Sequence, residues 1–232
     1  MKKIGIIGAM ELEVSALKKE MVTDRVVTKA GMSFHEGTLN GCPVVVVMCG
    51  IGKVNAGMCV QILCDLFEVT HVINTGVAGS LNAKLDIGDI LVSVEAVQHD
   101  FDVTALNYAK GQIPGVDVLS FPADKDMVEK AYEACLKVNP DIHCLKGKVV
   151  SGDQFISSKD VKNRLIEDFA GDCAEMEGAA IAQAAYLNKV PFVVLRAISD
   201  KADDSAEMDY PSFERQAAGH CAKLVTEFVG NF

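Results

Sequence analysis

The sequence is defined first by what it does not contain. No apolar run approaches the roughly eighteen residues that a membrane helix requires. The start, Lys2-Lys3 followed by Ile4 to Gly8, is apolar for only a few residues before Glu11 and Glu13, so no secretory signal is expected. No C-x-x-C pair occurs among the eight cysteines (Cys42, Cys49, Cys59, Cys64, Cys135, Cys144, Cys173, Cys221), which removes the zinc template and any metal site built on it. Most lie inside apolar runs, where a free thiol behaves as a small hydrophobe, and reduced thiols in a cytoplasmic protein are the expectation. Positive charge is also scarce: 22 Lys and Arg against 32 Asp and Glu leave a net charge of -10, with a pI near 4.9. Such a surface repels nucleic acid and anionic membranes, and neither is expected as a partner. Gly50-Ile51-Gly52-Lys53 carries G-x-G without a third glycine, and no G-x-x-x-x-G-K-[ST] occurs, so no dinucleotide or ATP cofactor is expected.

What is present is an ordinary globular balance, 50% apolar and 23% charged over 232 residues. Strands alternate with helices, without a Pro/Ser-rich linker or internal repeat. The expectation is one α/β domain over 1–232, a mixed central sheet flanked by helices. Lys3 to Gly8 reads as a buried strand and Glu11 to Met21 as a helix, which sets Met10 and Glu13 at the strand-to-helix junction. Arg25 to Ala30, Ser33 to Leu39 and Pro43 to Cys49 read as strands, the last two joined by an Asn40-Gly41 hairpin turn. A helix follows to Phe67, then a strand from His71 to Gly76, with Asn74 to Gly79 expected as a small-residue turn. Gly88 to Val97 is a further strand. His99, Asp100 and Asp102 open a long irregular segment, where His99 is expected as a hydrogen-bonded loop histidine rather than a metal ligand. The spacing predicts helices over 126–138 and 159–169, the second capped by Ser158. A last helix is predicted over 211–229 with Pro211 in its first turn.

The chemistry concentrates in Ala174-Glu175-Met176-Glu177-Gly178 and in Val190 to Asp200. The second is an apolar strand ending in Arg196, Ser199 and Asp200. Charges at the carboxyl end of a buried strand sit where open α/β sheets place ligands. They suggest acid/base work or recognition of sugar hydroxyls, although Asp200 could equally terminate the strand and Glu13 could simply favour a helix N-terminus.

The motifs GIIGAMELEV, CGIGKVNA, INTGVAG, HDFDVTA with GQIPG, VSGDQFI, AEMEGAAIA and PFVVLRAISD follow one another from Ile4 to about Phe228. In that order they resemble the bacterial 5′-methylthioadenosine/S-adenosylhomocysteine nucleosidases of the nucleoside phosphorylase fold group. The resemblance implies hydrolysis of an adenine nucleoside that carries a 5′-thioether, with Asp200 as acid at adenine N7, oriented by Ser199, and Glu13 as base for water. It further implies that Glu177 takes the ribose hydroxyls, Met176 packs on the sugar and Arg196 supports Glu177 or the water site. Phe155 would stack on adenine and the Ile156 backbone read its edge, while Met10, Ile51, Ala78, Gly79 and Phe213 line the remainder. Val103, Leu106, Tyr108 and Pro114 resemble the segment that reaches into a neighbouring subunit, which implies a homodimer.

Some positions depart from the family pattern. Val77 replaces a serine, removing a hydroxyl near the water. Leu106 replaces a phenylalanine, Leu12 a glutamate and Gly178 an alanine. Three other readings stay open at this point: a purine nucleoside phosphorylase, a futalosine-type nucleosidase, and a non-catalytic nucleoside sensor. Against phosphorolysis, the first loop offers a carboxylate and no arginine, which suits water better than phosphate.

Overall fold

The computed structural model describes residues 2–232. In chain order the strands and helices are β1 (Ile4–Gly8), α1 (Glu11–Glu20), β2 (Val22–Lys29), β3 (Met32–Leu39), β4 (Cys42–Met48), α2 (Lys53–Phe67), β5 (His71–Ser80) and β6 (Ile90–Gln98). They continue with β7 (Phe121–Pro122), α3 (Lys125–Val138), β8 (Cys144–Ser151), α4 (Lys159–Phe169), β9 (Cys173–Glu175), α5 (Gly178–Leu187), β10 (Phe192–Asp200) and α6 (Ala206–Gly230). All ten strands belong to one mixed sheet, as expected for this fold class.

Its topology has a closed part and a limb. Strand β5 pairs with β10, β10 with β6, β6 with β8, β8 with β9, and β9 returns to β5, so five strands form a ring. The edge of β5 that pairs with β9 at Gly79 and Ser80 pairs with β1 at His71 to Asn74, and the sheet continues from there through β4 into the antiparallel β3 and β2. The limb is built by local turn chemistry: Asn40 and Gly41 both take positive φ, 47° and 79°, as a two-residue hairpin turn between β3 and β4 demands. The core lies between sheet and helices, and every residue of β1 and β10 is buried.

Three expectations need correction. Asn74 to Gly79 is not a turn but the carboxyl half of β5, fully buried, because β10 pairs with it along Val72 to Gly79 and satisfies its backbone. Ser158 does occupy the N-cap of α4, but its side chain makes no capping bond; Lys162 N–H donates to the Ser158 carbonyl at 2.9 Å instead. The last helix starts at Ala206, so Pro211 falls in its second turn. The preceding Ala-Glu-Met-Asp-Tyr run extends the helix, and Glu207 and Asp209 favour its N-terminal end. The proline forfeits one backbone bond.

Candidate active site

The parallel strands β1, β5 and β10 run in one direction, so their carboxyl ends deliver three chain segments to one edge. A cavity of about 320 Å³ opens there, lined among others by Met10, Glu13, Ile51, Val77, Ala78, Gly79, Phe155, Met176, Glu177, Ser199, Asp200 and Tyr210.

Glu13 reaches it from the first turn of α1. One carboxylate oxygen accepts the N–H groups of Ala9 at 2.7 Å and Met10 at 2.9 Å; the other accepts Val77 N–H at 3.1 Å. That leaves at least one lone pair for a further donor. Burial raises its pKa above the ordinary carboxyl value, and the Arg196 charge and these backbone bonds offset only part of the rise.

Asp200 arrives by a bulge. The β10–β5 register runs evenly to Ile198 opposite Ala78, then shifts so that Asp200 faces Gly79. Neighbours in a regular strand point to opposite faces, yet Ser199 and Asp200 both line the cavity, and the bulge at Ser199 makes that geometry. Ser199 Oγ donates to Asp200 Oδ2 at 2.9 Å, and Ala202 N–H donates to Oδ1 at 2.8 Å. Burial nevertheless pushes this carboxyl up, and the charges of Asp209 and Asp203 add to the push.

Glu177 sits at the N-cap of α5 and is buried. Gly52 N–H donates to its Oε1 at 2.7 Å across 125 positions of sequence. Burial, then the nearby Glu175 charge, raise its pKa to about 8.

At the base of the cavity lies a buried ion pair, Arg196 with Glu175. Arg196 Nε donates to Glu175 Oε2 at 3.2 Å, Nη1 to the Leu195 carbonyl at 2.9 Å and Nη2 to Asn74 Oδ1 at 2.5 Å, with a further Nη2 contact to Glu175. Glu175 also accepts the N–H groups of Glu177 and Gly178 and the Ser151 hydroxyl, which anchors the start of α5. Burial alone would raise the Glu175 carboxyl; Arg196 and these donors hold it below its usual value.

Several placements differ from expectation. Arg196 does not line the cavity, and its direct ionic partner is Glu175 rather than Glu177 or the water site. All its donors point inward because the strand that carries it is buried on both faces. Ile156 faces a small side recess with Gly79, Phe155 and Asp200, not the main cavity. Phe213 lines neither and stays 37% exposed, since the earlier start of α6 turns Tyr210 inward instead. Tyr210 donates its hydroxyl to Met10 Sδ at 3.2 Å and meets Phe155 edge-on at 5.7 Å between centroids. No motif of the resemblance includes Tyr210; the fold alone brings it to the cavity. Val103, Leu106, Tyr108 and Pro114, expected to reach a neighbouring subunit, lie outside this chain's own cavity, which does not contradict that expectation; Leu106 is 66% exposed. Of the His99 ring, the buried Nε2 has no partner, which leaves Nδ1 for the hydrogen bond expected of it. Among the described residues no group of three His, Cys, Asp or Glu could hold a metal ion, and no helix is long and apolar enough to cross a membrane.

Fold and site together define a class. The phosphorylase superfamily matches residues 3–230. A 5′-methylthioadenosine/S-adenosylhomocysteine nucleosidase of Anoxybacillus flavithermus is 42% identical over 227 residues, 97% of each chain. The solved structure of the Neisseria meningitidis enzyme of that name, in complex with methylthio-immucillin-A, is similar with a TM-score of 0.96 and 37% identity, each chain covered in full. Futalosine hydrolase of Helicobacter pylori is similar too, at a TM-score of 0.94 and 34% identity over 100% of this chain and 98% of that one. The chain belongs to the phosphorylase superfamily and, within it, to the 5′-methylthioadenosine/S-adenosylhomocysteine nucleosidases; it is a nucleosidase.

Proposed function

We propose that the enzyme hydrolyses the N-glycosidic bond of 5′-methylthioadenosine, S-adenosylhomocysteine and 5′-deoxyadenosine, releasing adenine and the 5-substituted ribose. The observation that carries this reading is the pair of buried carboxyls on one cavity, Glu13 and Asp200, both raised above their ordinary pKa. Cleavage builds positive charge on the ribose and negative charge on the departing base, so one group must deliver a proton and another remove one. Asp200, whose burial favours its protonated form, gives its proton to adenine N7 as the C1′–N9 bond breaks. Glu13 takes a proton from water as the new C1′–O bond forms. Glu177 accepts the ribose hydroxyls, Met176 packs on the sugar and Phe155 on the base, with Tyr210 behind it. Arg196 acts from below, its charge favouring the ionised form of Glu13.

Water rather than phosphate is the nucleophile in this reading, because no Lys or Arg lines the cavity while four carboxylic acids, Glu13, Glu175, Glu177 and Asp200, do. The active form is taken to be a homodimer in which Val103, Leu106, Tyr108 and Pro114 cover the 5′ group of the partner's substrate. The exposed apolar Ile51, at the cavity, and Val54 and Met58, on the helix that follows it, support it. The roles assigned are removal of methyl-cycle product and methionine salvage, in the cytoplasm.

The test is adenine release from methylthioadenosine, adenosylhomocysteine, 5′-deoxyadenosine and futalosine, with and without phosphate. Release from the first three at full rate in phosphate-free buffer is expected. A strict phosphate requirement, or turnover of futalosine alone, would overturn the reading.

A further inference from the structure

Beside the cavity, three loops from distant parts of the chain are tied by one closed ring of polar contacts. Lys53 Nζ donates to Asp100 Oδ1 at 2.5 Å and to Gln98 Oε1 at 3.0 Å. Asp100 Oδ2 accepts Asp153 N–H at 2.9 Å. Asp153 Oδ1 accepts Lys53 N–H at 2.8 Å and so closes the ring. The Lys53 and Asp100 side chains are less than one fifth exposed, so their attraction is only partly screened by water.

Each loop carries part of the site. Residues 50–52 supply Ile51 and the Gly52 N–H that Glu177 accepts. Residues 152–155 supply Phe155. Residues 99–102 begin the segment that holds Val103 and Leu106. The first loop has little stiffness of its own, with Gly50 and Gly52 at φ 87° and 97°, conformations that only glycine adopts without strain. Ala9 accepts the Gly50 N–H at 3.1 Å, and Asn55 Nδ2 and Ala56 N–H donate to the Ile51 and Gly52 carbonyls at 2.7 and 3.1 Å. On the side of the other two loops the Gly52 amide is fixed by the residue next to it, since Lys53 is held from both its backbone and its side chain.

We propose that Lys53, Asp100 and Asp153 are positioning residues that aim the Gly52 N–H at Glu177 and thereby set how tightly the enzyme grips the ribose hydroxyls. This rests on the reading of Glu177 as the ribose-binding group. None of the three touches the cavity, so the effect travels through the backbone of Gly52. A loosened amide frees the Glu177 carboxylate to turn away, and the sugar loses its partner while the base keeps its own.

The experiment compares wild type with Asp153→Ala, Asp153→Asn and Lys53→Met, using methylthioadenosine as substrate and its 2′,3′-dideoxy analogue as competitive inhibitor. Asp153→Ala removes the acceptor of the Lys53 N–H and is expected to raise KM about tenfold, with kcat changing less. Asp153→Asn keeps an oxygen acceptor and should restore most of the loss; Lys53→Met should resemble Asp153→Ala. The inhibition constant of the dideoxy analogue, which has no hydroxyls for Glu177, should stay within about twofold throughout. Disturbance of Phe155 alone would shift substrate and analogue equally and would overturn the proposal, as would an unchanged KM in both Asp153→Ala and Lys53→Met. A wild type that fails to release adenine would instead refute the nucleosidase substrate assignment, so the two failures are distinct. Since Asp153 is exposed, its variants should unfold at nearly the wild-type temperature.

Discussion

A Cβ atom placed on Gly76 would stand 2.5 Å from Glu13 Oε1 and 3.3 Å from Arg196 Nη1. The glycine is therefore the floor on which the Glu13 carboxylate lies, and the small residues of β5 serve the side chains that cross over them. Gly79 does the same for Asp200, whose Oδ1 would be 2.7 Å from a Cβ there.

Gly76→Ala is accordingly expected to displace Glu13 and lower kcat by about 10²-fold or more, since misplacing a reacting group by about an ångström costs that much. Gly219→Ala, in α6 with nothing within 4 Å of the added methyl, is the control. It should leave kcat unchanged and stabilise the helix by about 0.5–1 kcal/mol. Steady-state adenine release and thermal unfolding measure both.

Glu13→Gln and Asp200→Asn should each lower kcat by about 10²- to 10⁴-fold while binding of adenine remains measurable. Glu13 must be ionised to act as base, and its pKa is raised above 4.5. The acid limb of the kcat/KM profile should therefore fall at a higher pH than an ordinary carboxyl gives. A limb at or below 4.5 would contradict the assignment.

Glu177 predicts a pH-dependent stability. Its carboxyl is held near 8 in the folded chain against 4.5 as its ordinary value, so folding takes up a proton between those limits. Its contribution is full below about pH 4.5 and is lost as pH rises through about 8. Glu177→Gln removes the ionisation and retains an oxygen for the Gly52 N–H. The variant's melting temperature, measured relative to wild type, should rise steadily from pH 5 to 8 and level off above; a flat difference across that range would count against a buried, protonated Glu177.

Arg196→Leu leaves Glu175 as a buried, unpaired charge and should cost about 3–5 kcal/mol in chemical denaturation. Arg196→Leu combined with Glu175→Leu should recover much of that loss, because removing both members of a buried pair is often nearly neutral. Equal destabilisation by the single and double variants would show that the pair's partners, not its charges, set the cost.

Of the eight cysteines, only Cys42 and Cys64 have partial solvent access. Burial raises the pKa of both, and takes that of Cys49 to about 12. An aromatic disulfide reagent at pH 7 should thus titrate no more than two thiols in the native protein, slowly, and eight after unfolding.

Much of this architecture is legible in the sequence because its signals are local. The apolar runs Ile4 to Gly8 and Phe192 to Ser199 give buried strands, and Asn40-Gly41 gives a hairpin. The segments that end in Glu13, Glu177 and Asp200 can be picked out one by one, and the fold gathers all three on one cavity. What could not be read depends on long-range pairing. Asn74 to Gly79 looks like a turn until β10 is laid along it. Arg196 has three carboxylates within its electrostatic reach, and only the burial of β10 and the position of β9 decide that Glu175 is its partner. Phe213 enters through the family resemblance, whereas Tyr210 carries no local signal, and only the folded position of α6 brings it to the cavity. The Lys53 ring joins residues 47 and 100 positions apart, which no local pattern announces.

The closed ring of strands has a consequence for how the chain is made. Strand β10 is the last to leave the ribosome, at residues 192–200 of 232, and it is the piece that joins β5 to β6. Until it emerges, the facing edges of both strands lack that partner, and bare edges of apolar strands are templates for pairing between chains. The same segment brings Ser199 and Asp200. A nascent or truncated chain that lacks β10 is thus prone to stick to its neighbours and lacks Asp200 as well.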